Sequence, residues 1–240
     1  MKKLLFVEGA KKIEEKTMTL ESSKTLGGVG SILLLVGSLL TSYTYGVVTL
    51  VGAIILLIGL SGLASYYKER GIFSNAIYSV VAGIVGAVVA VVAVLYIIFY
   101  TTILTSLLQE IYPTWNGSWS SLPSIRGMTP NTANITTSAV TSVLGALFLV
   151  LVILWVFLVV SAFFARRSLK TLSTKTGVGL FSTAALVLLV GAFLTIVFIG
   201  FLLIWIAVLL MAIAFFQIPS QQEQPQAPMA PPSPSTPTPV

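Results

Sequence analysis

Residues 72–109 and 177–216 carry no charged side chain, giving uncharged runs of 38 and 40 residues. Two further uncharged stretches, 26–64 and 138–165, lie on either side of the first run. About 20 apolar residues of helix span the roughly 30 Å hydrocarbon core of a bilayer, so runs of this length read as membrane helices rather than buried core. A mean hydropathy of +1.01 with only 8% charged residues excludes a water-soluble domain, which needs far more charge to cover its surface.

The charges that remain divide unevenly about these runs. Of the thirteen Lys and Arg residues, Lys2, Lys3, Lys11, Lys12, Lys16 and Lys24 precede the first run. Lys68 and Arg70 lie between the second and third, and Arg166, Arg167, Lys170 and Lys175 between the fourth and fifth. Only Arg126 falls on the other side. Cytoplasmic loops carry the excess of Lys and Arg, so this pattern predicts both termini inside, in a cell membrane. The net charge of +6 does not point to nucleic acid, because the cations line membrane edges instead of gathering on one face.

Six spans follow, at about 26–40, 47–64, 72–109, 138–165, 178–195 and 199–216. The third is expected to be one long helix that protrudes on the outer side. Splitting it into two passes would reverse the side on which Arg166–Lys175 lies. The last run divides at Thr195–Gly200, and a repeat supports that division. Leu33–Thr41 lines up with Val187–Thr195 at an offset of 154 residues, and the same offset carries Gly46 onto Gly200. The two hairpins would then be parallel repeats.

Outside the spans, residues 1–22 form a cytoplasmic leader. Phe6, Ala10, Ile13 and Thr17 share one helical face, consistent with a helix lying in the headgroup region. A start at Met18 would make most of that leader dispensable, and the apolar run Leu4–Val7 is too short for a signal peptide. Eight of the eleven prolines lie in 218–240, which reads as a disordered cytoplasmic tail. Residues 110–137 form the outer loop. It contains two candidate N-glycosylation triplets, Asn116-Gly-Ser118 and Asn134-Ile-Thr136.

The chain has no Cys, His or Asp. That removes thiolate and imidazole metal ligands and the usual proton-transfer group near neutral pH, so no metal, no cofactor and no enzymatic activity are expected. The spans also lack the mid-membrane ionisable group that marks most transport pathways. Glu110 sits at a helix end, where a solvated carboxylate is the plainer reading. Hydroxyl groups on Thr101, Thr102, Thr105, Ser138, Thr141 and Ser142 could bond across helices or back to their own carbonyls. Small residues recur every four positions at Ser79, Gly83 and Ala87 and at Ala82, Gly86 and Ala90. Ser138 with Ser142, and Thr141 with Gly145, do the same on the fourth span. Such spacing lets membrane helices approach closely. It places the third helix at the bundle centre or at a homo-oligomer seam.

The stretches Ser23-Lys-Thr-Leu-Gly-Gly-Val-Gly-Ser-Ile-Leu33 and Tyr66-Tyr-Lys-Glu-Arg-Gly-Ile-Phe-Ser-Asn-Ala76, with Ile-Ala-Phe-Phe at 213–216, resemble an archaeal membrane family catalogued as domain of unknown function 996. The resemblance covers roughly residues 20–217. It implies a multi-pass archaeal membrane protein and brings no activity or site residues with it.

Together these readings predict an all-α, six-span membrane bundle. The expected function is that of a non-enzymatic scaffold or subunit of a membrane complex. The alternative is a channel or facilitator for a neutral or apolar solute. The expected partners are the bilayer itself and anionic lipid headgroups or an acidic cytoplasmic protein, drawn by the topogenic cations Lys68, Arg70, Arg166, Arg167, Lys170 and Lys175.

Overall fold

The computed structural model describes residues 19–219. The leader face from Phe6 to Thr17 and the tail from residue 220 onward lie outside these residues. Six of the described helices are long and apolar enough to cross a membrane. In chain order, apart from the single helical turn Thr41–Thr44, the α-helices are α1 (Leu20–Leu39), α2 (Val47–Tyr66), α3 (Arg70–Tyr100), α4 (Ile103–Ile111), α5 (Thr137–Thr176), α6 (Leu180–Leu194) and α7 (Ile199–Phe216).

Local chemistry sets several of the ends. The Thr19 side chain accepts a hydrogen bond from the Ser22 amide and starts α1. Gly177, at φ +75°, closes α5 in the left-handed conformation that glycine adopts without penalty. Tyr45 and Gly46, both at positive φ, reverse the chain between α1 and α2.

The spans form a ring in the order α1, α2, α3, α5, α6, α7, and α7 returns to α1. The contact between α2 and α3 is much thinner than any other in the ring. One end, here the basal end, holds the start of α1, the end of α7 and the turns 67–69 and 177–179. All six spans converge there on a solid apolar core that includes Leu63, Ile72, Leu172, Phe181 and Phe215, none of them exposed. Phe181 meets Phe215 edge-on at 5.0 Å between ring centroids. Towards the opposite, distal end the outward faces are covered by exposed Val, Ile, Leu and Phe. Such a surface belongs in lipid.

Three departures from the sequence reading have physical causes. First, the third run is not one helix. It stops at Tyr100, where Thr101 takes an extended conformation, and the Thr101 hydroxyl donates to the Ile97 carbonyl at 2.6 Å. A short α4 then resumes at an angle the sequence does not announce. Second, the fourth span does not end at Arg166. The helix continues through Arg166, Arg167, Lys170 and Lys175 to Thr176, 40 residues in all, so the expected basic loop is helical. Its inward side there, Ser168, Leu169 and Leu172, is buried in the basal core. Third, α3 is not the centre of the bundle. It pairs with α5 and stands at the open side of the ring.

Backbone approach holds the first hairpin together. Gly30 and Gly37 on α1 and Gly52 and Gly59 on α2 are each seven residues apart and meet across the seam. A methyl group on Gly37 would lie 2.6 Å from the Thr49 backbone nitrogen, and one on Gly52 would lie 2.7 Å from that of Leu34. No side chain fits there, which is how helices gain van der Waals contact in lipid.

Candidate functional site

The predicted site residues separate into a basal cation cluster, a small-residue seam and a distal loop. Among the described residues every cation except Arg126 stands at the basal end, on α1, on α5, in the turn between α2 and α3 or at the start of α3. Lys68 occupies the left-handed region at φ +51°, which turns the chain sharply from α2 into α3. Glu69 faces α5, where Lys175 Nζ lies 3.1 Å from its carboxylate. The Arg167 guanidinium sits 4.7 Å over the Phe163 ring. Tyr66 and Tyr67 meet edge-on at 5.1 Å, and burial, reinforced by Tyr66, pushes the Tyr67 phenol above its usual range. Beside them a cavity of about 500 Å³ opens between α2 and α3, lined in part by Ser61, Ser65, Lys68, Arg70 and Ser74.

The small residues of α3 do meet α5, though not in the two rows that the spacing suggests. The Ser79 hydroxyl lies 3.1 Å from that of Ser161, and Ser161 also donates to the Ser79 carbonyl at 2.9 Å. Gly86 faces Phe157 with no room for a Cβ, and Ala90 is buried below it. Gly83 lies near the Ser161 hydroxyl, whereas Ala87 is exposed and Ala82 partly so. The contact row is therefore Ser79, Gly83, Gly86 and Ala90, following the 3.6-residue helical period. On α5, Ser138, Ser142 and Gly145 are exposed, and nothing lies within 4 Å of a Cβ at Gly145. Ser142 and Thr141 donate to the carbonyls four residues earlier, at 2.9 and 2.7 Å.

The loop between α4 and α5 folds against the ends of both helices. Trp115 is buried, and its indole donates to Ser121 Oγ at 2.9 Å. Trp119 packs on Trp115 and on Phe99 of α3. Asn116 is exposed, and its Oδ1 accepts from the Ser118 amide and the Ser121 hydroxyl. Glu110 accepts from the Thr136 amide at 2.7 Å and from its hydroxyl at 2.8 Å. It therefore ties α4 to the N-cap of α5 and does not stand free in solvent. No group of three or more His, Cys, Asp or Glu able to hold a metal occurs among the described residues.

Two contributors escaped the sequence reading. Gly52 and Gly59 carried a signal in their seven-residue spacing, which matches that of Gly30 and Gly37. Ser161 carried none, since a lone serine in an apolar run does not reveal its partner.

The family model described as "Protein of unknown function (DUF996)" matches residues 48–209. The chain belongs to this family. The match is narrower than the resemblance over 20–217 and leaves out both the Ser23–Leu33 stretch and residues 213–216. The chain is also 29% identical over 204 residues to the uncharacterized protein MJ1644 of Methanocaldococcus jannaschii, covering 84% of this chain and 94% of that one. No solved structure matches. With six apolar helices and this family, the protein is a membrane protein.

Proposed function

We propose that the protein is a non-enzymatic scaffold or subunit of a membrane complex, threaded with both termini in the cytoplasm. The observation that carries this reading is the solid basal core. Five of the spans meet there on large apolar side chains with no exposure, and α1 adds the buried Leu20. The polar groups of the spans support it too, because the Thr141 and Ser142 hydroxyls and the Asn75 amide donate to carbonyls of their own helices. The exposed Ser138, Ser142 and Gly145 face of α5 is available to a neighbouring helix, including one from a second copy.

The competing reading, a facilitator for a neutral solute, predicts flux in proteoliposomes that is lost in Gly83→Leu. Co-purification of the full chain with a fixed partner, together with absence of flux, is the expected result. Solute flux through the purified protein would overturn the scaffold reading. For orientation, a reporter at position 120 should score outside, and a cytoplasmic score would reverse the threading. Glycosylation of Asn116 or Asn134 belongs to the same orientation and would appear as a mobility shift lost in Asn116→Gln or Asn134→Gln.

A further inference from the structure

The thin place in the ring combines shape with charge. From the turn 67–69, α2 and α3 diverge, each packing far more closely on its other neighbour, α1 or α5. The wedge between them holds the cavity of about 500 Å³, within the ordinary range for a small-molecule site. Its basal mouth carries Lys68 and Arg70, both exposed and neither in an ion pair among the described residues. The one carboxylate nearby, Glu69, is paired with Lys175 on the α5 side. Glu69 also occupies the N-cap of α3 without a side-chain capping bond, which leaves first-turn amides and the positive end of a 31-residue helix at the mouth. The Ser65 and Ser74 hydroxyl protons are spent on the Ser61 and Arg70 carbonyls, both at 3.0 Å.

Above this cationic mouth the lining changes character. Phe73 closes the wall of the cavity. Along α2, Ser65, Ser61, Ile58 and Ile54 follow one helical face, and along α3, Arg70, Ser74, Ile77 and Val81 do the same. Ile54, Ile58, Ile77 and Val81 are all exposed. A cationic pocket at one end of an apolar, lipid-facing groove matches a molecule that is anionic at one end and hydrocarbon along the rest.

We propose that the α2/α3 wedge binds a membrane lipid with a phosphate headgroup. The phosphate sits against Lys68, Arg70 and the start of α3, and one hydrocarbon chain lies along Ile58 and Ile77. Juxtamembrane cations contribute about a fivefold affinity gain each, so losing two weakens binding by about 30-fold.

The test uses the purified full chain in zwitterionic phosphatidylcholine bicelles, titrated with phosphatidylglycerol. Lipid retained on the protein is counted by native mass spectrometry. One phosphatidylglycerol should be held in preference to phosphatidylcholine. Lys68→Gln with Arg70→Gln should abolish that preference, whereas Arg166→Gln with Lys170→Gln, which removes the same charge elsewhere on the basal end, should leave it. Ser61→Phe fills the wedge without touching either cation and should also weaken retention. Circular dichroism and size-exclusion profiles identify any variant that fails to fold, and the remaining variants then carry the comparison. Equal loss in the two charge-removal variants would overturn the site in favour of general surface attraction. Full retention in Ser61→Phe would overturn the place of the chain, and equal displacement of the lipid by inorganic phosphate would overturn a lipid as the occupant. None of these outcomes bears on whether the protein is a scaffold.

Discussion

The two hairpins α1/α2 and α6/α7 run the same way, from the basal end outward and back, yet they differ at their tips and along their seams. The first tip is Thr41-Ser-Tyr-Thr-Tyr-Gly46, with Tyr43 and Tyr45 84% and 93% exposed. The second is Thr195-Ile-Val-Phe-Ile-Gly200, with Phe198 and Ile199 76% and 62% exposed. Tyrosines favour the membrane–water interface, whereas bare Ile, Val and Phe favour hydrocarbon. The second hairpin also changes form near its tip. The α-helix of α6 ends after 15 residues and a 3-10 turn at Thr195–Val197 carries it on to 18, against 20 for α1. Its turn closes its own backbone bonds, with Phe198 N–H donating to Thr195 C=O and the Thr195 hydroxyl to Ala192 C=O. A turn that satisfies itself can sit where water is absent. Sequence repetition therefore preserves the hairpin but not the chemistry of its tip.

The seams differ in a parallel way. At offset 154, Gly37 corresponds to Gly191, and both face the opposing helix where the chains cross. Gly30 corresponds to Ala184, however, and the second seam is lined by the buried alanines 184, 192, 207 and 214. Backbone contact runs the length of the first seam, at Gly30, Gly37, Gly52 and Gly59, whereas in the second it gathers near the tip, at Gly191 and Gly200.

The contrast between the tips admits the largest test. The chain lacks cysteine, so single replacements Tyr43→Cys and Phe198→Cys can be probed with a membrane-impermeant maleimide. Position 43 should label readily and position 198 should stay unlabelled in the bilayer. Equal labelling would break the distinction. A charge sharpens it. Phe198→Lys should cost more in bicelle unfolding than Tyr45→Lys, yet less than the roughly 3 kcal/mol of a Lys at the centre of a membrane helix. For the seams, Gly30→Ala should destabilise by about 1–3 kcal/mol through overpacking, whereas Gly145→Ala, with open space around it, should be neutral in the same assay. The smallest effect belongs to the hydroxyl bridge between α3 and α5, where Ser161→Ala should cost about 0.6 kcal/mol, the average for such bonds in membranes.

Helix number and basal clustering of charge were legible because each follows from a one-dimensional pattern, run length or residue placement. The break at Thr101 was not. It is a change of backbone conformation at one threonine, and the apolar residues on both sides mask it. The extension of α5 past Arg166 was hidden for the opposite reason. Four cations suggest a loop, but Leu169 and Leu172 keep one face apolar and the basal core accepts it. The α2/α3 wedge could not be read from the chain at all, since it depends on how far two adjacent helices separate. Of the small residues, Ser79, Gly83, Gly86 and Ala90 on α3 face α5, while Ala87 on α3 and Ser138, Ser142 and Gly145 on α5 are exposed.

Because α5 runs 40 residues without a proline or a break, it is a rod of about 60 Å that touches the distal loop at one end and the basal core at the other. A rod has no joint at which to absorb displacement. Tilting it by about 5° swings one end by about 5 Å relative to the other, on the same length estimate. The loop between Glu110 and Thr136 and the helix turns that carry Arg166, Arg167 and Lys170 therefore stand at opposite ends of one unbroken helix.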